Sequence, residues 1–235
     1  MTAARPARPP ADRGAALVTG ATSGIGRALA VELARRGNDV LVVADRDVEP
    51  TVHDLSAHGG AHEGLTVDLA PPPRGRGDRP ARASSASRPS SSTGKILVTS
   101  SVAGEMPAPH FAAYAASKAF LRSFAWSLRG ELAGTGVTVT ALLPGPTRTP
   151  FFREAGMERT HVGRLPKPRP AAVARRAVDA LLHGRPEVVT GVQGGVMLAA
   201  ARVLSQPARA AFHGWFYAPV PASLAVERPS SSPLR

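Results

Sequence analysis

A chain of 235 residues with 43% apolar side chains suits one α/β core, since single cores stop growing at about 250–300 residues. The absence of cysteine excludes disulfide scaffolds and thiolate metal centres and fits a reducing, cytoplasmic location. The net charge of +12, from 29 Lys and Arg against 17 Asp and Glu, invites a nucleic-acid reading. Yet the arginines sit in linkers: Arg5, Arg8 and Arg13 in a Pro-rich start, five between residues 70 and 94, and more in "GRLPKPRP" (163–170). No aromatic rings interleave with them to stack bases, so solvated linker charge is the better account and no nucleic-acid partner is expected.

Residues 1–13 lack the apolar core of a signal peptide and read as a disordered leader. "AALVTG" (15–20) is an apolar run ending in glycine, and "GIGRALAVELARRG" (24–37) has helical apolar spacing through Ile25, Leu29, Ala30 and Leu33. "DVLVVAD" (39–45) is a second strand, "VEPTVHDLSAHG" (48–59) a short helix and "LTVD" (65–68) a third strand, which makes a parallel βαβαβ unit. His58 and His62 have a metal-like spacing but no supporting carboxylates, so no metal is expected.

Residues 70–92 contain no Val, Ile, Leu, Met, Phe, Trp or Tyr and read as a low-complexity insert extending to about residue 94. Its Ala/Pro/Arg/Ser/Gly composition, built from GC-rich codons, resembles out-of-frame translation. Beyond it come strand "KILVTSS" (95–101), a long helix from about Pro109 to Ala133, and strand "GVTVTALLP" (136–144). A loop runs to about Arg169, with Phe151, Phe152 and Met157 suggesting an apolar pocket wall and at least one of them expected to pack into the core instead. Helix "PAAVARRAVDALLHG" (170–184), strand "EVVTG" (187–191) and an apolar helical tail to about Ala218 complete the pattern, with residues 219–235 read as a disordered tail. The apolar run 188–204 is interrupted by three glycines and Arg202 and falls short of the roughly 20 residues of a membrane span, so no integral span is expected. Alternating elements of these lengths predict one domain built on an open, doubly wound parallel sheet.

Two constellations carry chemistry. In "TGATSGIG" (19–26), Gly20, Gly24 and Gly26 lie between a buried strand and a helix, where glycine permits a tight turn and lets a pyrophosphate reach N–H groups at the positive helix end. Asp45 ends the second strand, where a carboxylate can accept hydrogen bonds from an adenosine ribose and repel a 2′-phosphate, while Arg46 beside it could attract that phosphate. NAD is slightly favoured over NADP. The second constellation is Ser101, Tyr114 and Lys118. Tyr114 and Lys118 are four apart and share a helix face, and a phenol with pKa near 10 needs a neighbouring ammonium to favour its ionised form at neutral pH. Ser101, at a strand end, can hydrogen-bond a carbonyl or alcohol oxygen.

The order and spacing of "TGATSGIG", Ser101 thirteen residues before Tyr114, "YAASK" (114–118) and "LLPGPTRTP" (142–150) resemble the classical short-chain dehydrogenase/reductase family over about residues 14–69 and 95–200. The resemblance implies a Rossmann-like fold and an NAD(P)-dependent oxidoreductase moving hydride between nicotinamide and a small carbonyl or alcohol substrate. It implies Tyr114 as general acid/base, Lys118 holding the nicotinamide ribose and lowering the Tyr114 pKa, and Ser101 orienting the substrate oxygen. It places Thr19, Gly20, Ser23, Gly24, Ile25, Gly26, Asp45, Arg46 and Asp68 on the adenosine and pyrophosphate side of the cofactor, with Asp68 meeting the adenine. Pro144, Gly145, Thr147 and Thr149 would lie at the nicotinamide, with Thr149 on its carboxamide.

One departure stands out. The family has a further strand ending in an Asn-Asn-Ala-Gly-like turn, then a long helix bearing a catalytic asparagine, before the Ser-bearing strand; here Asn38 is the only asparagine. Two arrangements stay open: the Ser101 strand moves inward to pair with "AALVTG", or it keeps its place beside a strand-wide gap. The first shifts the site by about 4.8 Å, where about 1 Å can cost on the order of 10²-fold in rate. The second leaves unpaired backbone groups, each costing roughly 1–3 kcal/mol if buried, against a typical stability of about 5–15 kcal/mol. Impaired activity is therefore expected, and the alternative is a catalytically inactive nucleotide-binding or interaction protein. The absent helix would supply part of the family's usual dimer interface, which leaves a homo-oligomer open.

Overall fold

The structure, a computed structural model, describes residues 14–68 and 94–220. The leader, most of the low-complexity insert and the last fifteen residues of the predicted tail lie outside the described residues. The first half runs β1 (Ala15–Thr19), α1 (Gly24–Arg35), β2 (Asp39–Ala44), α2 (Glu49–Ser56) and β3 (His62–Thr66). The second half runs β4 (Gly94–Thr99), a 3₁₀ turn (Val102–Glu105), α3 (Ala112–Glu131), β5 (Val137–Pro144), α4 (Phe151–Glu154), α5 (His161–Arg164), α6 (Pro170–Leu182), β6 (Glu187–Thr190), α7 (Val192–Val203) and α8 (Gln206–Tyr217).

Three boundaries differ from the sequence pattern for identifiable reasons. The third strand starts at His62, not Leu65, because the His62 ring nitrogen accepts the Val40 N–H at 3.2 Å and His62 to Thr66 run in register with Val40 to Ala44. Its side chains are mostly exposed, so no apolar alternation marks its beginning. The loop after β5 contains α4 and α5, the latter capped by the Thr160 hydroxyl, which accepts the Gly163 N–H at 3.0 Å. The apolar tail breaks into α7 and α8 where Leu204 and Ser205 turn extended and Pro207 opens the next helix. Gly94 belongs to β4, Pro219 bridges to Thr160, and Val220 is buried, its N–H donating to Arg159 O at 2.8 Å.

All strand pairs are parallel, in two three-stranded sheets of order β1-β2-β3 and β4-β5-β6. No strand among the described residues pairs β1 with β4. Instead, Ala15 to Thr19 and Gly94 to Thr99 form the two walls of a groove of about 910 Å³. Of the two arrangements left open by the sequence, the described residues show the gap.

Backbone alternation fixes which groups face it. Gly14 O and Gly20 N bond to β2, so Ala15, Leu17 and Thr19 direct their N–H and C=O groups into the groove. Ser100 N bonds to Leu142 O on β5, so Lys95, Leu97 and Thr99 do the same from the other side. The halves are joined on one face by α1 packing against α6, where Val18, Leu29, Ala30 and Val42 share a core with Leu142, Val173, Ala177 and Val178. Arg36 supports that joint, reaching Glu32 of α1 and Asp179 of α6, each at 2.8 Å. A second core, including Val102, Met106, Val139, Leu143, Val162, Met197 and Phe216, seats the later loops and α8 against β5.

Candidate functional site

The glycine turn uses left-handed backbone at Gly20 (φ 63°) and Gly24 (φ 56°), conformations that side-chain-bearing residues seldom adopt. At Gly26 a Cβ would run into the Gly20 carbonyl, so this glycine lets α1 start directly against the strand end. Ser23 at the N-cap makes no side-chain cap, which leaves first-turn N–H groups of a twelve-residue helix available to an anion. Such a turn and helix start fit the pyrophosphate of a dinucleotide. Thr149 lies over it, with its methyl carbon 3.3 Å from where a Gly24 Cβ would be.

Ser101 lies two residues past β4, at the N-cap of the 3₁₀ turn, where its hydroxyl accepts the Ala103 N–H at 3.2 Å. That bond fixes the Ser101 side chain, which lines the same cavity as Tyr114. Tyr114 is in the first turn of α3. One turn later, Lys118 places its ammonium 5.6 Å from the Tyr114 ring centroid and donates to Thr99 O at 3.3 Å. That acceptor is a carbonyl on the open edge of β4. Ser100 donates to Lys118 O at 2.6 Å and ties the helix to the strand end.

Burial raises the Tyr114 pKa, and the Ser101 side chain works against that rise. Burial lowers the Lys118 pKa. Burial is the larger influence on Tyr114, with the Lys118 ammonium 5.6 Å from its ring centroid. The phenol is thus held protonated at neutral pH.

A cavity of about 420 Å³ joins these parts. Gly20, Ser23, Gly24 and Ile25 line one end, Ser101, Tyr114 and Lys118 the middle, and Pro144, Gly145, Thr147 and Thr149 the roof. Thr19, Gly26, Asp45, Arg46 and Asp68 do not line it. Thr19 instead belongs to the open groove and Gly26 packs beneath the turn. Asp45 and Arg46 are exposed past β2, with Arg46 4.0 Å from both Asp45 and Glu154.

Phe151, Phe152 and Met157 line the cavity as a wall, as the sequence suggested. Sequence reading missed three contributors: Tyr217 and Glu154 line the cavity, and Phe111 stacks on Tyr217 at 5.7 Å and meets the Tyr114 ring at 5.6 Å. Phe111 could have been noticed three residues before Tyr114. Tyr217, over a hundred residues away, carries no local signal. Among the described residues no cluster of metal-ligating side chains occurs and no helix is long and apolar enough to cross a membrane.

Comparison with known proteins bears on this geometry. The structure resembles a short-chain dehydrogenase from Sphingobium yanoikuyae in complex with NADPH (TM-score 0.61, 22% identity, 82% of this chain and 96% of that one). It also resembles a short-chain dehydrogenase from Mycobacterium paratuberculosis bound to NAD (TM-score 0.57, 18% identity, 75% and 96%). These likenesses show a Rossmann-like α/β fold. In sequence, an uncharacterized oxidoreductase of Myxococcus xanthus is 33% identical over 178 residues, covering 55% of this chain and 70% of that protein. Sulfoacetaldehyde reductase of Chromohalobacter salexigens is 48% identical over 56 residues, and the match spans 24% of this chain but only 22% of that relative. The family model for short chain dehydrogenase matches residues 14–74 and 82–160, more than half of the sequence, and the chain belongs to that family.

Proposed function

We propose that the chain is an NAD(P)-dependent oxidoreductase that interconverts a carbonyl compound and its alcohol, with Ser101, Tyr114 and Lys118 at the reacting centre. The observation that carries this reading is that Ser101, Tyr114 and Lys118, the last one helical turn from Tyr114, line the same cavity as the glycine turn. A bound nicotinamide supplies or accepts the hydride. In the reducing direction Ser101 orients the carbonyl oxygen, and the Tyr114 O–H, kept protonated by burial, donates its proton to that oxygen. Lys118 lies where a cofactor ribose hydroxyl could take up its remaining N–H donors. Gly20, Ser23, Gly24 and Ile25 hold the pyrophosphate side, and Thr147 and Thr149 the nicotinamide side. Asp45 favours NAD over NADP.

The open groove supports a second reading, a nucleotide-binding protein without turnover, because Thr99 and Lys118 adjoin an unpaired strand edge. Carbonyl-dependent oxidation of NADH and NADPH by the wild type and by Tyr114→Phe, with cofactor binding measured in parallel, separates the two. The expected outcome is binding by both proteins, NADH preferred, and turnover at least about 10²-fold lower in Tyr114→Phe. Binding with turnover that does not depend on Tyr114 favours the second reading.

A further inference from the structure

Resting on the oxidoreductase reading, we propose that the substrate is an uncharged ketone carrying an aryl or similarly flat apolar group, with Tyr217 and Phe151 as specificity-determining residues. Around Tyr114 the rings form a continuous cluster: Tyr114–Phe151 at 5.3 Å, Phe151–Phe152 at 5.7 Å, Tyr114–Phe111 at 5.6 Å and Phe111–Tyr217 at 5.7 Å, stacked. Phe151, Phe152, Met157 and Tyr217 are the walls that a substrate meets once its oxygen is placed at Ser101 and Tyr114. Tyr217 is brought there by α8, which is fixed to the segment before α3 by the buried His213 ring, its Nδ1 3.0 Å from Pro107 O.

Charge points the same way. Among the described residues Lys118 is the one cation and Glu154 the one carboxylate that line the cavity, with Lys118 donating to Thr99 O and Glu154 4.0 Å from Arg46. A flat apolar group gains ring contacts there, whereas a sulfonate, phosphate or carboxylate would meet, among the described lining residues, no cation besides Lys118, which the cofactor ribose also engages. In the reaction, hydride from the reduced nicotinamide forms the new C–H bond at the carbonyl carbon, the proton from Tyr114 goes to oxygen, and a secondary alcohol and oxidised nicotinamide result.

The test compares 2-acetonaphthone with sulfoacetaldehyde as substrates of the full chain with NADH and NADPH, and measures binding of each to the cofactor-free protein by saturation-transfer NMR. The expected result is kcat/KM at least about tenfold higher for the naphthyl ketone, with saturation transfer to its ring protons. Tyr217→Ala and Phe151→Ala each raise its KM about threefold to tenfold, and Tyr217→Phe, which keeps the ring, restores it. A preference for sulfoacetaldehyde, or Tyr114-dependent turnover of small aldehydes without binding of the naphthyl ketone, overturns the substrate assignment and leaves the oxidoreductase reading standing. Absence of cofactor binding and of Tyr114-dependent turnover with either carbonyl overturns that reading and the assignment with it.

Discussion

Ser101 and Tyr114 differ in what local sequence says about them. Tyr114 and Lys118 are fixed by helical spacing, but the height of the Tyr114 pKa is set by burial, with Phe111 and Phe151 packed on its ring, opposed by the Ser101 side chain. A titration follows from this. Because the phenol pKa is raised, the proton needed for reduction stays in place through neutral pH and is lost only above about 10, the ordinary tyrosine value. The reduction rate should therefore be flat from about pH 6 to 9 with a single alkaline limb. In Ser101→Ala the opposing side chain is gone, so the limb moves to higher pH while the plateau falls. A pH–rate profile of the two proteins checks both the direction and the assignment; an alkaline limb that moves down in Ser101→Ala contradicts it.

At the scale of elements, the half of the molecule after β4 is held by a half-buried ion-pair group as well as by packing. Arg122 of α3 reaches Glu105 of the 3₁₀ turn at 3.0 Å and Glu187 of β6 at 2.7 Å, and Trp126 also donates to Glu187 at 3.2 Å. Burial raises the Glu105 pKa, Arg122 pulls it back down, and Glu187 adds to the rise. Removing the guanidinium leaves two close carboxylates facing each other with Glu105 nearly dry. Arg122→Met should cost about 1.5–3 kcal/mol, read as a lowered urea midpoint with unchanged m-value. The loss should shrink on acidification as Glu105 takes up a proton, since its raised pKa makes the neutral form accessible first. The 3₁₀ turn carries Ser101 at its N-cap, so activity should fall along with stability.

The whole molecule is decided by the gap between β1 and β4. The joint between halves rests on α1 against α6 and on the shared core on that face. The other face leaves Leu17 of β1 63% exposed, Phe124 of α3 46% exposed, and the strand edges unpaired among the described residues. Hydrogen exchange should reveal this directly. The N–H groups of Leu17, Thr19 and Leu97, which face the groove, should exchange orders of magnitude faster than those of Val42 and Leu142 in the paired strands, since open edges lack ladder protection. Equal protection at Leu17 and Val42 would mean that the edge of β1 is covered.

What the sequence by itself determined is whatever depends on neighbours along the chain. The glycine turn, the one-turn spacing of Tyr114 and Lys118, the parallel strand–helix alternation and the Ala/Pro/Arg/Ser/Gly string where a strand was expected are all local, and Gly20, Ser23, Gly24, Ile25, Pro144, Gly145, Thr147 and Thr149 line the cavity. Tertiary structure alone decided that β4 keeps its distance from β1, because that choice sets the burial of α1 against α6 against the pairing of two strand edges, a comparison no local window contains. It also decided that Tyr217 lines the cavity, because that depends on where α8 comes to rest, over a hundred residues along the chain from Tyr114, and that Tyr114 is desolvated, because Phe151 from the loop after β5 packs on its ring.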